Sequence, residues 1–67
     1  MQKILIGKTY KHYKGNLYKI INLAKHSETL EEMIIYKDKN ENVWARPKHM
    51  WNEIIDSKGT LRFTLID

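Results

Sequence analysis

Apolar and polar positions alternate in short runs along this 67-residue chain. Leu17, Tyr18, Ile20, Ile21 and Leu23, separated by single polar residues, predict a long strand over residues 17–25, because aromatic and β-branched side chains fit a pleated, half-buried surface. The alternation slips by one position: Tyr18 and Ile20 fall on one face, Ile21 and Leu23 on the other. A bulge near Asn22 reconciles the two halves. Met33, Ile34, Ile35 and Tyr36 predict a second strand over residues 32–37. Val43 to Arg46 predict a third, stopped by Pro47, which cannot donate to a ladder. Residues 53–55 and 61–66 predict a closing hairpin around Asp56-Ser57-Lys58-Gly59, where the glycine can take a positive φ.

The connectors are polar. Residues 26–31 read as a wide hairpin loop, with capping by Ser27 and Glu31, or by Thr29 and Glu32, as the alternative that makes one helical turn. Residues 37–42 read as an exposed hairpin tip. Pro47 sits at the favoured first position of a helical turn over residues 47–51, Pro47 to Trp51. About five short strands with one helical turn predict an all-β fold, a small SH3-like barrel or roll, with an OB-like barrel second because it needs a longer chain and a helix. The expected core is Tyr18, Ile20, Leu23, Ile35, Val43, Trp51, Ile54, Phe63 and Leu65. Residues 1–67 form one domain, with its motifs between residues 7 and 63. A chain this short buries only about 60% of its unfolded surface, so a monomer or weak homodimer of modest stability is expected.

Charge changes the picture. Met1 to Ser27 carry six lysines and no acid, whereas Glu28 to Asp67 carry six basic and eight acidic residues; +6 and −2 give the net +4. Such polarity suits an anionic partner. No cysteine is present, which removes disulfides and thiolate metal sites and fits a reducing, cytoplasmic setting. No apolar run approaches the roughly 20 residues of a membrane span, and the apolar stretch in residues 1–7 is too short for a secretory signal.

Three motifs carry a resemblance. Tyr10-Lys11-His12-Tyr13-Lys14-Gly15-Asn16-Leu17-Tyr18, then Ala24-Lys25-His26-Ser27-Glu28-Thr29-Leu30-Glu31, then Val43-Trp44-Ala45-Arg46-Pro47 resemble the small bacterial family catalogued as domain of unknown function 1653. The resemblance spans residues 7–63, nearly the whole chain. It implies a compact, mostly β domain and no known reaction. Near the end of the third motif the family has an aromatic residue other than tryptophan, and this chain keeps an apolar anchor there in Met50-Trp51.

Candidate chemistry is sparse. Tyr10, Tyr13 and Trp44 lie among polar or basic residues and suit surface stacking, whereas Phe63, Tyr18 and Trp51 sit in core patterns. His12, His26 and His49 are 14 and 23 residues apart with no tight pair, so no metal site and no cofactor is expected. His26 reads as a hydrogen-bonded lock on its loop. A catalytic serine at Ser27 is not expected: His26 and Ser27, neighbours along an extended segment, face opposite ways, and although His12 or His49 could reach Ser27, no oxyanion turn follows it. Glu28, Glu31 and Glu32 read as a solvated cluster. Arg46, two residues from Trp44 on one strand face, can hold a carboxylate or phosphate through two bonds, but an ion pair with Glu28 or Glu53 is the first expectation. Lys8, Lys11, Lys14, Lys19 and Lys25 supply the basic field, which by itself does no more than keep a surface soluble. No P-loop or dinucleotide fingerprint occurs.

These residues define one expected ligand-binding surface: Tyr10, His12, Tyr13 and Lys14, with His26, Ser27 and Glu28, and with Trp44 and Arg46. The reading is a non-enzymatic binding module for an anionic ligand, RNA or single-stranded nucleic acid first. The alternative is an SH3-like protein- or peptide-interaction domain. A small enzyme ranks last, because so short a chain rarely shelters a reaction from water.

Overall fold

The computed structural model describes residues 4–66. Lys3, one of the six N-terminal lysines, lies outside the described residues, as do Met1 and Gln2 of the short apolar stretch judged too short for a secretory signal. The fold is all-β. Strands β1 (Thr9–His12), β2 (Leu17–Lys25), β3 (Glu32–Lys37), β4 (Val43–Pro47) and β5 (Phe63–Leu65) form one antiparallel sheet in the order β4-β3-β2-β1-β5. A single 3-10 turn, Lys48–Met50, follows β4.

Periodicity accounts for β2 and β3, which the structure reproduces at residues 17–25 and 32–37, and for the bulge, where pairing skips from Ile20 to Asn22. Asn22 Oδ1 accepts from the Leu23 backbone N–H at 2.8 Å beside that break. Two strands differ from the sequence expectation. β1 is a strand of only four residues with one buried side chain, too short for its alternation to stand out. Its partners, β2 on one side and β5 on the other, supply its order. Residues 53–55 are not a strand; Ile54 and Leu61 make one isolated bridge. The turn they flank takes Gly59 to φ 84°, the left-handed conformation a glycine adopts without strain.

Register assigns the faces, since cross-strand partners share one. Tyr10, His12, Tyr18, Ile20, Ile34, Tyr36, Trp44, Arg46, Phe63 and Leu65 point inward. A flat sheet would hold edge strands β4 and β5 nearly 20 Å apart at about 4.8 Å per strand. Yet the Arg46 guanidinium lies 5.4 Å from the Phe63 ring centre. The sheet is therefore strongly rolled, although the pairing order leaves it open between β4 and β5.

Tyr10, Ile20, Ile34, Tyr36, Trp51 and Phe63 form the core, with Ile4, Tyr18 and Leu65 packed against it. Aromatic rings dominate because each removes a large area from water, which a small domain needs. Several core expectations are corrected. Leu23, Val43 and Ile54 are exposed: Leu23 shares a face with its partner Ile34 but lies toward the end of β2 remote from Phe63, Val43 faces outward on an edge strand, and Ile54 sits outside the sheet. Tyr10, expected on the surface, is fully buried, and its hydroxyl accepts from the Leu5 backbone N–H at 2.9 Å. Lys11, next to it in the strand, points the other way, as alternation requires.

Candidate functional site

Phe63 is the centre of the inner face. Trp51 stacks parallel to it at 3.9 Å, and His12 meets it edge-on at 5.0 Å. Tyr18 and Tyr36 approach in T-shaped geometry at 5.7 and 6.0 Å, and Arg46 lies over the ring. Two N–H donors in this cluster, Arg46 Nε and Trp51 Nε1, are buried with no hydrogen-bond partner among the described residues.

His12 closes the β1–β2 turn. Its carbonyl accepts from Gly15 N–H at 2.7 Å, with Gly15 at φ 104°, and its own N–H donates to Asn16 O at 2.8 Å. Its Nδ1 accepts from Lys14 N–H at 3.2 Å, which puts the neutral ring's proton on Nε2. Burial, then the charges of Arg62, Arg46 and Lys14, hold the imidazole below its ordinary value. Three cations from a turn, β4 and the segment before β5 thus surround one neutral histidine.

Among the described residues one of these cations, Arg62, is paired with an acid. Arg62 donates to Glu53 Oε1 from Nε at 3.0 Å and from Nη2 at 2.6 Å. Glu53 is thereby taken, and the ion pair expected for Arg46 is absent among the described residues. Tyr13, 44% exposed, lies against His12 at 4.5 Å, with Lys14 Nζ and the Arg62 guanidinium each 5.8 Å from its ring centre.

Trp44, 50% exposed, is fixed differently: Nε1 donates to Asp38 Oδ2 at 3.1 Å. Asp38 Oδ1 also accepts from the backbone N–H groups of Asn40 and Asn42 at 2.9 and 3.0 Å. The Trp44 bond, followed by these backbone donors and the Asn42 amide, holds the Asp38 carboxyl below the usual range. The tips of the β1–β2 and β3–β4 hairpins lie side by side, with a cleft of about 380 Å³ between them.

The structure therefore brings together His12, Tyr13, Lys14 and Arg46 from the expected surface. It places Trp44 on the same inner face and Tyr10 in the core. His26, Ser27 and Glu28 lie past the far end of β2 from Tyr18. There His26 acts as the expected lock: Nδ1 accepts from Glu28 and Thr29 N–H at 3.1 and 3.4 Å, and its N–H donates to Glu31 O at 2.8 Å. A cavity of about 500 Å³ lies at this end, where His49 Nδ1 approaches Glu31 at 3.2 Å and Lys48 pairs with Glu32 at 2.9 Å. Sequence reasoning missed Arg62 and the part played by Phe63, because nothing local signals that β5 pairs with β1. Among the described residues no cluster of three His, Asp or Glu could hold a metal ion, and no helix is long and apolar enough to cross a membrane.

Fold and site define the class: a small all-β domain, one rolled sheet with an aromatic, basic inner face. The chain belongs to the family described as "Protein of unknown function (DUF1653)", which matches residues 8–65, in line with the three motifs. No curated protein and no solved structure matches it.

Proposed function

We propose that this domain is a binding module for single-stranded nucleic acid, most simply RNA, without catalysis of its own. The observation that carries the reading is the convergence of Lys14, Arg46 and Arg62 on His12, with Arg46 lacking any acidic partner among the described residues. A guanidinium left free of carboxylates is available to phosphate oxygens. Beside it stand two exposed rings already oriented by the protein, Tyr13 by His12 and Trp44 by Asp38. Rings held in place lose little freedom when a base stacks on them.

Oligonucleotide binding measured against salt tests this. Log affinity should fall linearly with log salt by about 0.7 for each phosphate contacted. Lys14→Glu should weaken all sequences alike, because phosphate contacts position without specifying. Tyr13→Ala should cost roughly 1–3 kcal/mol as a lost stacking platform. Absence of binding at low salt would overturn the reading and promote a second one. The unpaired edges of β4 and β5 flank Arg46 and favour an extended peptide added as a strand. Peptide capture that is weakly salt-dependent and abolished by changes along β4 would mark that mode.

A further inference from the structure

The cleft between the hairpin tips is walled by two carboxamides that the fold itself does not use. Asn16 from the β1–β2 turn and Asn40 from the β3–β4 tip both line it, and neither side-chain amide has a hydrogen-bond partner among the described residues. An amide offers two donors and one acceptor, the complement of a base edge. Asp38, the acid at the rim, is not open to a ligand in the same way, since Trp44, Asn40 and Asn42 already donate to its two oxygens.

The cleft continues into a shallow groove of about 160 Å³ that shares Leu17, Tyr18, Asp38 and Lys39 with it and runs to Lys19 and Lys37. Lys19 and Lys37 are direct cross-strand partners, and like charges so placed repel. Lys37 is relieved by Glu41 at 2.8 Å. Lys19 and Lys39 have no ion-pair partner among the described residues. A cleft of about 380 Å³, with Leu17 and Tyr18 in its wall, two free carboxamides at its sides and ammonium groups without acidic partners at its mouth, has the layout of a nucleotide site.

We infer that the tip cleft is a nucleotide subsite in which Asn16 and Asn40 read the edge of one unstacked base while Lys19 and Lys39 hold its phosphate. The inference rests on the nucleic-acid reading above and adds a base preference to it. Adenine is the expected base, because a carboxamide matches its N6 and N7 pair.

The test compares short oligoadenylate and oligouridylate binding, each across a salt titration, for the wild type and two double variants. All four changed residues are exposed, so thermal melts should coincide. Wild type should prefer oligoadenylate by about tenfold, near the lower end for one bidentate contact. Asn16→Ala with Asn40→Ala should abolish that preference and leave the salt slope unchanged. Lys19→Gln with Lys39→Gln should keep the preference and reduce the slope by about 0.7 per phosphate lost. Salt-sensitive binding without base preference, or a preference that survives the asparagine changes, overturns the subsite and leaves the nucleic-acid reading standing. An unchanged slope in the lysine variant overturns the phosphate half. No oligonucleotide binding by the wild type overturns both.

Discussion

Arg46 and His12 are the residues at which a contribution to stability and the proposed binding can be measured apart. A buried donor without an acceptor costs about 1–3 kcal/mol, so Arg46 Nε is a burden on the fold. Arg46→Met keeps an unbranched stem against Phe63 and removes that donor. Its stability in urea should be unchanged or slightly higher, while oligonucleotide affinity drops; marked destabilisation would assign Arg46 a structural role. His12 makes a prediction about pH. Facing it are Tyr13 and Lys14 from the turn, Tyr18 from β2, Arg46 from β4, and Arg62 with Phe63. The folded imidazole titrates below its ordinary 6.5. As pH falls below that value the unfolded chain takes up the proton first, so stability present at neutral pH declines and levels off below the folded pKa. His12→Gln should flatten this part of a stability profile between about pH 7 and pH 5. A bound anion favours the protonated ring, so wild-type affinity should rise over the same fall in pH, and that rise should vanish in the variant.

At the scale of elements, the connectors carry more specification than their polarity suggests. The loop after β2 is closed by His26 Nδ1 and by Thr29 Oγ1, which accepts from Glu31 N–H at 3.2 Å. His26→Ala strips an acceptor from two backbone donors in an exposed loop and should lower stability by about 0.5–1.5 kcal/mol in denaturant melts. In the same loop Leu30 takes φ 64° with its side chain exposed. A left-handed conformation costs a non-glycine residue roughly 1–2 kcal/mol. Leu30→Gly relieves that strain, partly offset by added freedom in the unfolded chain, and should stabilise by up to about 1 kcal/mol. A loss of stability instead would mean the leucine side chain makes contacts that its exposure hides.

Across the whole molecule, a single aromatic cluster does the work that a larger protein spreads over many layers. Phe63 touches rings or cations from β1, β2, β3, β4 and the segment after the 3-10 turn. Phe63→Ala should cost about 3–5 kcal/mol. That is comparable to the entire stability of a domain this small, so the variant should be largely unfolded by circular dichroism at room temperature. A change below about 1 kcal/mol would show that the cluster is not the keystone its geometry implies.

The sequence alone determined β2, β3, β4 with the single helical turn after it, the bulge at Asn22 and the Gly59 turn. Each depends on neighbours within a few residues, through alternation, β-branching and backbone sterics. It also determined that Ile20, Trp51 and Phe63 are core, since they lie inside apolar runs. Only tertiary structure decided the rest. β1 exists because β2 and β5 pair with it, and Tyr10 is buried because that pairing turns it inward. The rolling of the sheet brings Arg46 from one edge onto Phe63 at the other, and gives Glu53 to Arg62 instead. It also leaves His26, Ser27 and Glu28 at the other end of β2 from His12. Residue type fixes what a side chain can do, but a sheet's register and curvature fix its company, and both are set by hydrogen bonds between segments far apart in the chain.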